Sequence, residues 1–537
     1  MEWNREEMFA SGSLTLLDLL DHVPELTTFR SGWISTPQVA AYNGDVGKVR
    51  VFIDDVEMDA LNGREGGVLD LGSIQIWTLE HVTLERSASE LRVYLRTWRV
   101  ERTTPYTRTD IVTGNENTNL YRGYYGKRYE RGQVLQIAGQ QYGTSSSRTA
   151  GTGDGLSLLG RIGIGKKSWS ADAYVNRTRV NRSTQTVLFP SDRPAIPPLD
   201  ATNTLAYLRA GYGHVDAGPW VQIIAATQQF KESSSHTSGT PTASTTTGGI
   251  AVPRDTADTT TSSSQLVIGG GLRFGPGRLI LQERMRMTAH RRDFGPSARL
   301  EVGSGLNVVG AYAESDALRR VTLTEASVRL QPLSFIALSA SASHRTASIE
   351  PGGGPSGTAI RGSAGVKLFG LWLSGGVITS DTTLRGAAPV YDTSYVSGAV
   401  GRSTGVTTTL RGPVWKGIGT DSWITHWSNP LMYQPRYESR SEINYSNNFE
   451  TRFPTGNFSL RASAAMEYRG RVSFPTSADA IGAGSSRVLS GLLEIRILRA
   501  VISYQQRNIL AYQYEIIPGF QMPRVLAIYG VRWEFWN

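Results

Sequence analysis

The sequence predicts a mainly β protein: an antiparallel transmembrane β-barrel of about 22 strands with an N-terminal mixed α/β unit inside its lumen. Three observations predict it. From Thr104 onward, apolar–polar alternation recurs in runs of about 9 to 14 residues, the length of tilted membrane strands. The connections between runs alternate between tight turns and long loops. The stretch from Leu14 to Trp98 departs from this pattern, with a short amphipathic helix and strands that end in carboxylates.

Composition bounds the class. The chain has 537 residues, 39% of them hydrophobic, with Gly 58, Tyr 22 and Trp 12, and its mean hydropathy is −0.25. No stretch approaches the roughly 20 apolar residues of a membrane-spanning helix. A barrel exposes apolar side chains on only one face of each strand, so its average reads as polar. Cys 0 excludes a disulfide framework and cysteine metal sites. The net charge of +9 raises the question of nucleic acid. The basic residues are spread through strands beside acids, as in Arg436-Tyr437-Glu438-Ser439-Arg440-Ser441-Glu442, and form no like-charge run, so no nucleic-acid partner is predicted. An anion-attracting lumen or a lipid-headgroup contact is the milder reading.

Met1 to Ser13 lacks a basic region followed by an apolar one, and reads as an incomplete N-terminal segment without a signal peptide. The helix follows, with Leu14, Leu16, Leu17, Leu19 and Leu20 at helical spacing, Ser13 as N-cap and Pro24 as stop. Val39 to Tyr42 and Lys48 to Ile53 read as strands separated by Asn43-Gly44-Asp45. Asp54 and Asp55 come next, and two aspartates after a strand ordinarily make a solvated turn. His81 to Arg86 and Glu90 to Trp98 are further strands.

The barrel runs begin near 104–114 and end near 520–535, and they include 393–401, 405–413 and 434–450. Tight turns lie at Gly165–Ser168, Gly275–Gly277, Gly303–Gly305, Gln331–Leu333 and Pro454–Gly456. Long loops lie at 183–202, 231–262, 347–356, 382–392, 414–433 and 473–485, and the Ser/Thr-rich 231–262 reads as a flexible surface loop. Short turns at one end and long loops at the other, with an even strand count, suit an outer-membrane barrel. In the last strand Val525, Ala527, Tyr529, Val531, Trp533 and Phe535 share the lipid face. Arg436, Glu438, Arg440, Glu442 and Asn444 share a lumen face. Trp169, Trp220 and Trp372, near strand ends, are assigned to interfacial belts.

Chemistry-bearing motifs are sparse. The seven histidines show no metal-ligand spacing and no HExxH helix. Gly160 to Ser168 resembles a P-loop, but Lys167 stands where Ser or Thr is required and a strand follows, so it reads as a hairpin turn. No nucleophile elbow or triad is present. Arg284 and Arg286 beside Glu283 read as an exposed or lumen-facing charge ladder in preference to an anion site. The prediction is a non-enzyme with no metal site and no cofactor.

Three motifs carry a resemblance. Leu19-Leu20-Asp21-His22-Val23-Pro24-Glu25-Leu26 is similar to the leucine-rich helix and Val-Pro-Gly turn of the plug domain of TonB-dependent receptors. Val51-Phe52-Ile53-Asp54-Asp55-Val56 resembles that family's "fiDGv" strand and turn. The segment from Ile74 to Arg86 resembles its "IP…lErIEVlrG" run. Glu25 and Asp55 stand where glycine is usual, and Ser87 follows Arg86 where glycine is expected. Tyr529 to Phe535 resembles the aromatic-ended strand read by the barrel-assembly machinery, here followed by Trp536-Asn537.

The resemblance implies a plug at 14–98, a barrel at 99–537 and residence in the outer membrane of a Gram-negative-type bacterium. It implies plug-motif roles for Pro24, Asp54, Asp55, Glu85 and Arg86, and a C-terminal signal at Gly530, Trp533 and Phe535. The implied partners are outer-membrane lipid, the TonB complex, the barrel-assembly machinery and a scarce small-molecule or glycan ligand imported by plug displacement. That ligand would meet the plug apex around Gly63 to Gly67. Met1 to Ser13 contains no recognisable TonB box. A plugged outer-membrane barrel with a surface-binding or structural role and no energised transport is the second reading. A soluble β-rich glycan-binding protein is the third.

Overall fold

A computed structural model describes all residues apart from 64–67, 146–151, 186–195, 214–217, 234–258, 289–290, 348–355, 382, 386–394, 397, 431, 478 and 536–537. Twenty-two antiparallel strands form one closed barrel, and apart from the closing pair each strand lies beside the barrel strands that precede and follow it along the chain. Strand Leu526–Phe535 pairs with Tyr106–Gly114 to close the ring. Closure removes the unpaired sheet edges that an open sheet would expose to lipid.

The N-terminal unit fills the lumen. Its strands are β1 (Glu2–Asn4), β2 (Leu26–Arg30), β3 (Gln38–Tyr42), β4 (Val49–Ile53), β5 (Val56–Glu57), β6 (Leu79–Arg86) and β7 (Leu91–Thr97), and its helices are α1 (Arg5–Ala10) and α2 (Leu16–Leu20). The five-stranded sheet has the order β1-β6-β7-β4-β5, with β4 and β7 parallel, and β2 and β3 form a separate hairpin. All four leucines of α2 are fully buried, and they join Trp77, Leu79, Val82, Leu91 and Val93 in one apolar core. The N-cap of α2 is Thr15, not Ser13, because only Thr15 has a carboxylate three residues on: Asp18 completes a capping box.

The strand count agrees with expectation, but two assignments change places. Residues 398–400 pair with Thr383–Arg385 in a hairpin outside the barrel. The stretch read as a long loop at 414–433 contains barrel strand Ile418–Trp427, entered through a tight turn at Lys416-Gly417. Gly417 has φ +73, so the turn uses the left-handed conformation that glycine adopts freely. Gly-Thr-Asp-Ser at the start of that strand carries turn chemistry in its sequence, and the ladder to Ser403–Trp415 overrides it.

Side chains alternate as the pleat requires. Leu156, Leu158 and Ile162 stand exposed on the outer face, while Ser157, Leu159 and Arg161 between them are buried toward the lumen. Trp169 faces outward, as expected. Trp220 and Trp372 do not: Trp220 packs over Gly269 and Gly271, and Trp372 lines a lumen cavity. Strand parity decides this, since both occupy even positions on strands whose even residues point inward. Aromatics at the short-turn end that do face outward include Trp415, 70% exposed, Phe369 and Trp533.

Leu208 sits on the outer face of Leu199–Tyr212 and is 65% exposed. Replacing it with arginine puts a charge against hydrocarbon and should cost about 2–4 kcal/mol. Reversible unfolding of the vesicle-inserted barrel in guanidinium measures this. The same change at an exposed loop position should be close to neutral.

Candidate functional site: the plug–barrel seam

The turn after β4 uses left-handed backbone at two non-glycine residues, Asp54 (φ 47) and Asp55 (φ 72). Asp54 is not a solvated turn residue: it is 7% exposed. Its carboxylate accepts from the Thr97 backbone N–H (3.2 Å), the Thr97 hydroxyl, the Tyr207 hydroxyl (2.6 Å) and the Arg161 guanidinium (3.1 Å). Arg161 also donates to the Trp98 carbonyl at 2.9 Å. Burial raises the Asp54 pKa, but Arg99, Arg161 and Arg209 outweigh it and hold the group below its ordinary value. Asp55 has lighter duty, accepting from Gln222 Nε2 at 2.9 Å.

Beyond this turn, β5 carries Glu57 to the centre of a cluster of guanidinium groups. Its carboxylate accepts from Arg50 (2.8 Å), Arg284 (3.0 Å), Arg319 (3.1 Å) and Arg286. Gln228 and Gln265 both donate to its carbonyl at 2.6 Å. Burial pushes the Glu57 pKa up, and the surrounding arginines drive it well below the carboxylate range. Arg50 and Arg92 stand side by side because β4 and β7 pair in register. Arg50 reaches Glu314 on the barrel at 2.6 and 2.8 Å, and Arg92 reaches Glu325 at 3.2 Å while lying over the Tyr312 ring. Glu90 joins the two, 3.2 Å from Arg50 and 2.7 Å from Arg92. Buried charges of both signs thus stitch the plug to the barrel wall.

Two smaller cavities face the long-loop end. One, of about 100 Å³, lies between Asp59, Asn62 and Gln75 of the plug and Asn176, Arg182 and Asn203 of the wall. The other, of about 140 Å³, lies between α2 and the strands around Arg440 and Arg507.

No protein-family model and no curated protein matches the sequence. Solved structures do resemble the fold. The siderophore receptor PirA from Acinetobacter baumannii aligns over 100% of this chain and 98% of its own, with TM-score 0.74 and 9% identity. The FrpB iron transporter from Neisseria meningitidis covers 97% of each chain, with TM-score 0.72 and 9% identity. The copper transporter OprC covers 99% of this chain and 97% of its own, with TM-score 0.72 and 11% identity. The chain has the TonB-dependent receptor fold.

Within this receptor fold the expected positions are scattered along the seam. Pro24 and Glu25 form the turn after α2, and Glu25 (φ 71) pairs with Arg361 of the barrel at 2.8 Å. Glu85 pairs with Arg299 at 2.6 Å. Arg86 lines a cavity at the short-turn end. Gly530 faces the lumen, where a Cβ would meet the Ile111 carbonyl at 2.6 Å, and Trp533 faces outward against Phe535. Residues 64–67 of the expected apex, residues 234–258 of the Ser/Thr-rich loop and Trp536-Asn537 lie outside the described residues. Sequence reading missed Arg50, Glu57, Glu90, Arg92, Glu314 and Glu325. The ladder reading of Arg284 and Arg286 was the available signal, since both point inward and ladder charges need partners in the lumen.

Glu25 and Asp55 keep the left-handed backbone of the glycines they replace, at a cost of about 1–2 kcal/mol each. Asp55→Gly removes that strain together with one hydrogen bond, so stability should change by less than about 1 kcal/mol. Asp54→Gly removes the same strain but leaves Arg161 and Tyr207 facing an empty site. That variant should cost about 3 kcal/mol. Plug hydrogen exchange in both variants measures the difference.

Proposed function

We propose that this protein is an outer-membrane receptor of a Gram-negative-type bacterium that imports a scarce ligand by displacing its plug. The observation that carries the reading is a folded unit closing a 22-strand barrel, with buried polar and ionic contacts to the wall beside an apolar cluster that includes Tyr124, Leu159 and Ile224. The hydrogen-bonded part of this seam exchanges for water at small net cost. Residues 14–98 are the plug and 99–537 the barrel. Pro24, Asp54, Asp55 and Glu85 hold the plug in place, Arg86 faces the short-turn cavity, and Gly530, Trp533 and Phe535 serve recognition by the barrel-assembly machinery. The TonB complex supplies the pull. The similar structures are a siderophore receptor, an iron transporter and a copper transporter, which supports a metal or metal chelate as cargo. The exposed apolar outer face weighs against the soluble alternative.

The test is a reversible tether. Asp59 and Ser263 meet across the seam at 2.7 Å, and the chain has no native cysteine. Asp59→Cys with Ser263→Cys, closed by a short bis-methanethiosulfonate reagent that forms a disulfide to each thiol with loss of sulfinate, fixes the plug to the wall. Accumulation of radiolabelled ferric enterobactin and of copper is then followed in cells lacking their own receptors. Energised uptake that falls at least tenfold on crosslinking, with both single-cysteine proteins active, supports the reading. Uptake that ignores the tether or a protonophore overturns it.

A further inference from the structure

The lumen is filled unevenly. Against the strands from Gln133–Thr144 to Trp220–Glu232, large side chains such as Tyr142, Tyr174, Tyr207 and Phe230 close onto the plug. Against the strands from Ile336–Ala347 to Ser403–Trp415, many inward positions are small, Ser339, Ser363, Ser374, Gly376, Thr407 and Thr409, with Arg361, Trp372 and Arg411 set among them. Their hydroxyls are satisfied across the wall, Ser339 with Ser363 at 2.7 Å and Ser374 with Thr409 at 2.6 Å. The wall therefore recedes from the plug and leaves a cavity of about 480 Å³. That is roughly sixteen times the ~30 Å³ share of one liquid water. The turn residues Gly305 and Leu306 border it, which places it at the short-turn end.

The charge in this cavity is one-sided. Arg86, Arg329, Arg361 and Arg411 line it, and among the described residues Glu25 is the only lining carboxylate. Glu25 is committed to Arg361, and Asp421, outside the lining, takes Arg411 Nε at 2.7 Å. Arg86 Nη1 and Arg411 Nη2 are buried without a hydrogen-bond partner, and Arg86 has no ion-pair partner among the described residues. Burial and the neighbouring Arg361 push the Arg86 pKa down to about 10, against the pull of Glu25 and Tyr42. Elsewhere along the seam, buried arginines such as Arg50 and Arg92 are each held by more than one carboxylate. Guanidinium forks match carboxylates bidentately, and several forks set on separate walls suit an anion with several carboxylates.

We propose that this cavity is a binding site for a small polycarboxylate anion, placed where a ligand leaves the barrel. The exit role rests on the uptake reading above, whereas binding itself does not. Citrate and inorganic phosphate are the probes, titrated calorimetrically into the full chain in detergent micelles. Citrate should bind at one site, more tightly than phosphate by about tenfold or more, and salt should weaken it. Arg86→Gln and Arg329→Gln should each weaken citrate about tenfold, the loss of one charge-assisted hydrogen bond. Arg329 is exposed to the cavity, so its replacement should leave folding intact. Glu25→Gln removes the opposing carboxylate and should tighten binding severalfold. No citrate binding to protein with normal heat-modifiable migration overturns the proposal, as does affinity unchanged in both arginine variants. Phosphate binding as tightly as citrate overturns the assignment to polycarboxylates. If uptake ignores the tether while citrate binding behaves as stated, the transport reading fails and the site stands.

Discussion

Glu57→Ala should release β5 and the turn before it from the barrel wall while leaving the barrel closed. The carboxylate is the shared acceptor of Arg50, Arg284, Arg286 and Arg319. Its loss is unequal for the four. Arg50 retains Glu90 and Glu314, and Arg286 and Arg319 retain Asp316. Among the described residues Arg284 keeps the Asp55 carbonyl at 3.3 Å and the face of the Phe52 ring, so it becomes a buried charge without a carboxylate partner. Breaking a buried pair by removing one partner costs about 3–5 kcal/mol, more than the net worth of the pair, because the stranded charge stays desolvated. The expected result is faster amide exchange and new trypsin cleavage around β4 and β5, with heat-modifiable migration of the barrel unchanged. Adding Arg284→Met should recover much of the loss, since it removes the stranded charge and keeps the volume. Unchanged exchange in Glu57→Ala would show that the surrounding acids share the load. Failure of Arg284→Met to rescue would place the cost elsewhere.

The contrast between Glu57 and the barrel shows what a sequence makes legible. Strands repeat every two residues, so lumen and lipid faces can be read locally, and the parity of turns and loops repeats the message along the chain. The error at 393–401 and 418–427 arose where that local signal was weakest. Gly419-Thr420-Asp421-Ser422 looks like a turn, and only pairing with both neighbours makes it a strand. The seam is different in kind. Glu57 and Arg284 are 227 residues apart, and nothing near either names the other. A charge ladder at Arg284 and Arg286 was readable, but neither its face nor its partner was. Glu25 and Asp55 mark the middle ground. Sequence shows that each replaces an expected glycine, and structure shows that each keeps the glycine's positive φ while its side chain reaches the barrel. Asp54 shows the risk of the ordinary reading, since a turn that looks solvated in isolation is buried once a barrel surrounds it.

Acid should undock the plug before it opens the barrel. Three plug carboxylates at the seam, Glu57, Glu90 and Asp18, are held below their ordinary values: burial pushes each up, but Arg50, Arg319, Arg286 and Arg284 outweigh it at Glu57. At Glu90, Arg50, Arg92 and Arg319 bring the pKa from 4.5 to about 2. Asp18, between Arg507 and Arg30, is also lowered. A carboxylate with a depressed folded-state pKa contributes stability that is complete above its unfolded value and is lost as pH falls through the folded one. For Glu90, 7% exposed, a fall from 4.5 to about 2 corresponds to roughly 3 kcal/mol. Asp59 and Asp70 oppose this, because burial raises both, and their contribution fades as pH rises instead. The ion-paired set holds more of the seam, so plug docking should be steady above about pH 5 and weaken steadily from about 4.5 toward 2. Barrel closure rests on the backbone ladder, which does not titrate, and should persist across that range. Pepsin cleavage within residues 14–98, followed against pH in micelles, measures the release. Glu90→Gln should flatten the profile, because one of its titrating groups is gone. Release at or above pH 5, or a profile that Glu90→Gln leaves unchanged, would mean that the ion pairs are not what holds the plug.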